Sequence, residues 1–264
     1  MAKGVYVGIS SAPRKVKEIY VGVEGVARRV KEVYIGVGGL VKKIFPSIVP
    51  AGQVIFTSSQ VWIVPAGVSI VDIFCVGGGG AGGAYSTQTF ESGESQFADG
   101  GGGGGGYTAT HLNVAVTPLS NISAVIGAGG INHANGNTTS FGSLSVSGGE
   151  AGRSASSSTS AGAGGNGGSG GGGGGVRVSM GGSYSIDCDA GVGGANGGNG
   201  GNGWYTSGGS GQGTTTRAFG ESTNTLYSNA GGFRSGDNPV VNGNGGFGDA
   251  PGASGIIIVR WAEQ

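Results

Sequence analysis

Long stretches of this chain carry no side chains, and that limits what it can fold into more than any other feature. Four glycines run from 77 to 80, seven from 100 to 106 and six from 170 to 175, and Gly-Gly-Asn steps recur every three residues across 197–203. A lone glycine run is a linker, because glycine loses more backbone entropy on folding than any other residue. Here the runs recur between apolar segments, 61–76 before them and 255–261 after them. The ordered alternative is a bundle of extended helices of the polyproline-II type, with three residues per turn and no internal hydrogen bonds. Their N–H and C=O groups point outward, and with no Cβ in the way neighbouring backbones pair directly. The expected fold is all-β and irregular, with strands framing a packed polyglycine-II lattice.

Composition separates this reading from two others. Sixty-six of 264 residues are glycine, a share that ordinarily marks collagen or low complexity. Collagen needs a strict Gly-X-Y period, which does not persist here, and there are only seven prolines. Disordered chains are charged and poor in aromatics, whereas this one has eight Tyr, nine Phe and three Trp and a net charge of zero. The zero conceals a division. Residues 1–45 carry nine Lys or Arg against three Glu, a balance of +6; the remainder has five Arg, no Lys and eleven acids, a balance of −6. Segments so different in charge read as modules with different partners. The expected organisation is a basic module at 1–45, a proline-punctuated joint at 46–50 and a glycine-rich domain over 51–264. Cys75 and Cys188 are too few for a disulfide framework, and Cys75, in an apolar strand, reads as a buried thiol. Met1-Ala2-Lys3 opens onto polar alternation, so no signal peptide is expected, and no apolar run is long enough for membrane insertion.

Residues 2–15, 16–29 and 30–43 are three copies of a fourteen-residue unit, with Tyr6, Tyr20 and Tyr34, and Gly8, Gly22 and Gly36, at equivalent places. Alternating residues broken at Ser10-Ser11, Glu24-Gly25 and Gly38-Gly39 predict antiparallel strands joined by two-residue turns. Pairing across Glu24-Gly25 sets Val23 against Val26, Ile19 against Val30, Glu18 against Lys31 and Lys17 against Glu32, so β-branched residues and opposite charges meet. Tyr20 then faces Arg29 and Tyr34 faces Lys43, an arrangement suited to cation–π contact. The expectation is an antiparallel β-meander, with Tyr6, Tyr20, Tyr34, Arg28, Arg29, Lys42 and Lys43 as attachment residues. So small a module cannot close a core and leaves open edges, so it pairs with copies of itself or docks on another protein. Acids interleave with the bases in register and no aromatic–basic stacking platform occurs, which argues against a nucleic-acid partner.

Beyond the joint, residues 53–56, 60–65 and 68–76 read as apolar strands, the last two forming a hairpin across Ala66-Gly67. The order strand, Pro-Ala-Gly turn, strand, polyglycine resembles the glycine-rich domain of phage and prophage tail and structural proteins. Ser254-Gly255-Ile256-Ile257-Ile258-Val259-Arg260-Trp261 fits the closing strand of that domain, and Tyr34-Ile35-Gly36-Val37-Gly38-Gly39 is similar to repeats common in phage proteins. A narrower likeness is to the tail-fibre-tip adhesins of T-even-like phages, which display variable loops on packed polyglycine helices and bind bacterial outer-membrane proteins. The N-terminal meander differs from their fibre-attachment domain, and the glycine blocks are spaced differently. The resemblance implies a virion protein, homo-oligomeric, with other virion proteins and a host cell-surface receptor as partners.

Motifs for chemistry carry little weight in a chain this rich in glycine. No glycine run ends in Gly-Lys-Ser/Thr and no lysine follows Lys43, so a phosphate-cradling loop is absent. Gly167-Gly168-Ser169-Gly170-Gly171 satisfies a nucleophile-elbow pattern without its strand–turn–helix context. His111 reads as a strand residue and His133 as part of a polar turn, neither with a metal-ligand neighbour at useful spacing. Asp187-Cys188-Asp189 lacks further oxygen ligands for calcium, and Gly245-Gly246-Phe247-Gly248-Asp249 falls one residue short of the calcium-binding nonapeptide. No cofactor or metal is expected. Nothing pairs a base with a nucleophile, which disfavours an enzyme. An ice-binding lattice needs flat faces, and Phe90 and Trp204 interrupt them.

A lattice without side chains leaves recognition to the segments that join its helices. Tyr85, Phe90 and Phe97 lie with Glu91 and Glu94 in 85–99, followed by 153–160, Trp204 and Tyr205, Phe219 within 217–221, Tyr227, and Phe233 with Arg234. Aromatics and Arg among Ser, Gly and Asn are the composition of a paratope. The competing role for the same aromatics is to cap the lattice and cover its flanks. The function expected is a tail-associated, receptor-binding virion protein; the alternative is a capsid decoration or head-fibre protein docked through the N-terminal module.

Overall fold

The computed structural model describes residues 6–9, 12–15, 18–23, 26–30, 32–37, 40–45, 49–90, 95–158, 160–174, 176–179, 216–231, 242–246 and 249–264. Each fourteen-residue repeat folds as one antiparallel hairpin: β1 (Tyr6–Ile9) with β2 (Ala12–Lys15), β3 (Tyr20–Val23) with β4 (Val26–Arg29), and β5 (Val33–Val37) with β6 (Leu40–Phe45). The register is the expected one, with Val23 opposite Val26, Tyr20 opposite Arg29 and Tyr34 opposite Lys43, and Val30 N–H donates to the Ile19 carbonyl at 2.7 Å. Glu18 ion-pairs with Arg29 of its own hairpin at 3.1 Å and accepts the Tyr20 hydroxyl at 2.8 Å, which raises the Tyr20 pKa. Among the described residues the three hairpins form three two-stranded sheets, and part of the chain that would join them into the expected meander lies outside those residues. The turn pairs 10–11, 24–25 and 38–39, with Lys17 and Lys31, lie outside the described residues.

The strands that follow are β7 (Gly52–Phe56), β8 (Gln60–Ile63), β9 (Ile70–Val76), β10 (Ser86–Thr89), β11 (Ser95–Ala98), β12 (Thr108–Ala115), β13 (Asn121–Val125), β14 (Thr139–Phe141), β15 (Leu144–Val146), β16 (Val176–Ser179) and β17 (Ile256–Trp261). Two four-stranded antiparallel sheets form a sandwich, one in the order β12-β9-β17-β7 and the other β15-β14-β13-β8. The expected hairpin over 60–76 is therefore corrected, because β8 and β9 lie in opposite sheets. The turn is where it was expected, with Val68 N–H on the Pro65 carbonyl and Gly67 at φ +91°. It works as an arch. Crossing between layers lets Trp62 of β8 and Ile73 of β9 bury their apolar faces in one interior, which a flat hairpin cannot do.

That interior holds Phe56, Trp62, Val71, Ile73, Cys75, Phe141, Ile257 and Val259 among others, with the rings of Phe56 and Phe141 6.2 Å apart across the two sheets. The next residues along β9 and β17 point the other way. Phe74, Val76, Ile256 and Ile258 bury a second cluster with Ala218 and Tyr227 from the 216–231 segment. Burial on both faces is why these strands read as unbroken apolar runs instead of alternating ones. Arg260 clamps the covering segment: Nη1 donates to Glu221 at 2.6 Å, Nε to Asp72 at 3.3 Å, and its guanidinium sits 3.8 Å from the Phe219 ring centre.

Among the described residues the glycine runs leave this sandwich as extended segments and pack into the predicted lattice, while the Gly-Gly-Asn steps of 197–203 lie outside those residues. In residues 77–83 the N–H groups rotate through three neighbours in turn. Gly77, Gly80 and Gly83 donate to Tyr107, Gly104 and Gly101; Gly78 and Ala81 to Asn137 and Ala134; Gly79 and Gly82 to Ala253 and Ala250. Their carbonyls receive from three further segments, through Gly149 and Gly152, Gly130, and Gly246. The run at 101–107 repeats the pattern: 101, 104 and 107 donate to 153, 150 and 147, then 102 and 105 to 172 and 169, then 103 and 106 to 246 and 243. A three-residue rotation with neighbours on every side is hexagonal packing of three-per-turn helices. Close approach, rather than unusual φ, demands glycine here. A Cβ at Gly80 would lie 2.0 Å from the Glu150 carbonyl oxygen, and at Gly104 2.1 Å from that of Asn166, and neither residue has positive φ.

Two predictions follow from these contacts. Gly80→Ala and Gly104→Ala each force a backbone carbonyl to move, so each is expected to destabilise by about 3 kcal/mol or more in denaturant unfolding; a flexible linker would instead gain a few tenths. Cys75 is free and buried, and burial pushes its thiol up to about 12 from 9.0. The unfolded chain ionises first, so this contribution is whole below pH 9 and shrinks as pH rises toward 12, by roughly 1.4 kcal/mol per pH unit. Unfolding measured in that window should lose stability more steeply for the natural chain than for Cys75→Ala.

Candidate functional site at the distal end of the lattice

The hydrogen-bond pairings fix the direction of every described segment. Residues 77–83 leave β9 and run outward, and 101–107 return to β12. Residues 134–137 run inward, since 134 meets 81 and 137 meets 78, while 149–155 run outward beside 78–84. Residues 250–255 come back from the level of 82 to β17. The reversals at 84–99, 131–134, 154–161 and 246–250 therefore gather at one end, opposite the sandwich. The side chains absent from the lattice are concentrated there.

The longest reversal, 85–99, is a hairpin where loops were expected. β10 pairs with β11 and β11 with β16, so Gln88 stands opposite Gln96, and Phe97 stands between Thr87 and Arg177. The 154–160 turn packs on one face of this sheet: buried Ser158 has Oγ 3.1 Å from Gln88 Oε1 and 3.3 Å from Gln96 Oε1, and Ser154 Oγ accepts the Ala84 N–H. The shorter 131–134 reversal is a tight turn closed by Ala134 N–H on the Ile131 carbonyl, with Asn132 and His133 at φ 49° and 61°. His133 Nδ1 lies 2.8 Å from the Gly82 carbonyl; a carbonyl only accepts, so that nitrogen carries the proton. Beside them Asn166 donates to Glu150 at 2.9 Å.

The aromatics singled out from sequence divide between this end and the core. Tyr85 is 62% exposed where the first helix enters the hairpin, and Phe90 is 40% exposed where the described part of β10 ends. Phe97 is half-buried in β11. Tyr227 belongs elsewhere: it is buried with its ring 5.5 Å from that of Phe74, which corrects its placement on a displayed loop. Phe219 stacks on Phe74 at 6.2 Å under Arg260, so it also covers the sandwich. Arg217 donates to the Asn224 carbonyl at 2.6 Å in the same cover. Glu91, Glu94, Trp204, Tyr205, Phe233, Arg234 and Asp187-Cys188-Asp189 lie outside the described residues. Gln88, Gln96 and Ser158 lie in the segments 85–99 and 153–160 singled out from sequence but were not named there, nor was exposed Ile131; β-favouring Thr87, Thr89 and Phe97 were the signal for the hairpin.

Ser169, in the elbow-like pentapeptide, is fully buried and its hydroxyl donates to the Ser228 carbonyl at 2.6 Å, so it serves a lattice reversal. His111 is a β12 residue opposite Ile73. Among the described residues no group of three or more His, Cys, Asp or Glu is placed to hold a metal ion, and no helix is long and apolar enough to cross a membrane.

No curated protein matches the sequence. Residues 55–262, from β7 through β17, match a glycine-rich domain. Most of the chain lies within that match, from the sandwich to the distal reversals, and it belongs to the glycine-rich domain family.

Proposed function

We propose that the chain is a virion structural protein of a bacteriophage or prophage, associated with the tail, that binds a host cell-surface receptor through the distal end of its lattice. Residues 1–45 attach it to other virion proteins, and the assembled form is a homo-oligomer. The observation that carries this reading is the gathering of the described reversals at one end of a lattice pinned by backbone hydrogen bonds. Such a stand holds Tyr85 and Phe90 in place without ordering cost on binding, and rigid aromatic anchors contribute most to protein interfaces. The mechanism is display, with no bond made or broken. The family resemblance seen in the closing strand and glycine runs supports the same station.

The test uses the whole protein. Tyr85→Ser combined with Phe90→Ser should weaken binding to host cells by roughly tenfold or more, with the thermal unfolding midpoint unchanged. Electron microscopy of particles carrying a labelled chain should place the label on the tail. A label on the shell, with host binding indifferent to the double substitution, would make it a decoration protein instead.

A further inference from the structure

The sandwich ends in four edge strands, and two of them are blunted. β12 is bulged where Asn113, at φ 56°, turns its N–H onto Asp72 at 2.9 Å, and β15 has only three residues. β7 and β8 border the opposite side, one in each sheet, joined by residues 57–59 and running in opposite directions. Ladder phase fixes which of their backbone groups face outward, because alternate residues of an antiparallel strand bond to the same neighbour. Val64 N–H donates to the Ser120 carbonyl and Gly142 N–H to that of Ser123, so Gln60 and Trp62 bond to β13 while Val61 and Ile63 face out. Gly77 N–H donates to the Tyr107 carbonyl, which sets β9 against β12 at odd positions and against β17 at even ones. β17 in turn holds β7 through Gly52, Val54 and Phe56, leaving Gln53 and Ile55 facing out. Among the described residues no group meets the N–H or C=O of these four. Their side chains are exposed as well, Ile55 at 49%, Val61 at 59% and Ile63 at 61%. No Asp, Glu, Lys or Arg occurs from 46 to 71 or from 100 to 149, so neither edge carries the charge that keeps strands apart.

We infer that this side of the sandwich binds the same side of a second copy, with β8 of each chain antiparallel to β7 of the other. Val54 and Trp62 each lie four residues from Ser58, at the middle of the bend, so they stand level in the two sheets. A half-turn about an axis along the lattice then brings Val61 opposite Ile55 of the second copy and Ile63 opposite its Gln53, open residue to open residue. Each opposed pair exchanges two hydrogen bonds, and each four-stranded sheet runs on into an eight-stranded one. The outer faces join without a break, so Val61 and Ile55 form a β-branched cross-strand contact. Three things select a second copy over another strand. The two edges fit one another at once, the self-complementarity that a two-fold interface requires. Both are neutral, so no charge is buried or opposed. The axis runs along the lattice, so both distal ends point the same way, as display of Tyr85 and Phe90 demands. The inference rests on the reading of the assembled form as a homo-oligomer and names the surface that joins it.

The experiment follows amide exchange of the full-length protein at rising concentration, with its mass measured by light scattering. Exchange at Gln53, Ile55, Val61 and Ile63 should slow as the dimer forms, while Val54 and Trp62, already bonded, stay protected throughout. Ile55→Lys and Ile63→Lys, at side chains exposed in the single chain, should each weaken dimerisation roughly tenfold or more, since lysine guards edges and each change enters the interface twice. Ser145→Lys, exposed on the far edge strand β15, should leave it unchanged. An oligomer in which those four amides exchange freely would overturn this pairing and leave the homo-oligomer reading standing. A protein that stays monomeric at every concentration would overturn both. Equal weakening by Ser145→Lys would mean a response to charge alone, and would also overturn the pairing. Host-cell binding through Tyr85 and Phe90 is a separate readout, so the proposed receptor function stands or falls by its own test.

Discussion

Backbone hydrogen bonds between segments without side chains are the interaction on which the rest of the molecule depends. Elsewhere in the protein an N–H finds its partner through β-ladders, and apolar side chains supply the burial. In the lattice both roles pass to the backbone, because every third N–H meets the same neighbour and the chains approach until a Cβ would collide. Each such bond adds only about 1 kcal/mol net, whereas leaving a buried N–H or C=O unanswered costs about 1–3 kcal/mol. The lattice holds by this asymmetry: once the segments are dry, any rearrangement that breaks register leaves several groups unpaired. It also bears a heavy entropy cost, since glycine has most to lose on ordering.

The sandwich offsets that cost at the proximal end. It ties together the starts and ends of the lattice helices through β9, β12, β13, β14 and β17, so their loops close against an apolar core. The 216–231 segment seals the outer face of β9 and β17 and reaches into the lattice, where buried Ser228 donates its hydroxyl to the Gly106 carbonyl. Thr139 reaches the lattice from β14 in the opposite sense, its Oγ1 accepting the Gly127 N–H at 2.9 Å. Hydroxyl side chains thus stand where a lattice helix passes into a strand and the three-residue rotation fails.

Glycine runs announced the lattice because a side-chain-free segment bounded by apolar strands has few ordered fates. The hairpin register was likewise plain in sequence, since a period of two fixes which residues oppose one another once the turn is placed. Other features were hidden for physical reasons. Whether β8 and β9 share a sheet is a question of which layer Trp62 and Ile73 face, and alternation is the same in a hairpin and an arch. The chain does not reveal which glycine segment neighbours which, because glycines are interchangeable and only the loop lengths choose. Tyr227 in a polar, glycine-rich context looks displayed until Phe74 and Ile256 are seen to need a cover. The mark of that need was present: 70–76 and 256–259 lack polar alternation, so both faces had to be buried. At the distal end, Ser158 reaches Gln88 and Gln96 across more than sixty positions, which no local pattern encodes.

The central claim is that residues 77–83 and 101–106 are a bonded solid. Amide hydrogen exchange at single-residue resolution tests it most directly. The account predicts protection at Gly80, Gly103 and Gly104 within about tenfold of that at Ile73 and Ile257 in the sandwich, because these amides open only when the lattice unfolds. Exchange of the glycine amides at the rate of an unstructured peptide, while the strand amides stay protected, would contradict it.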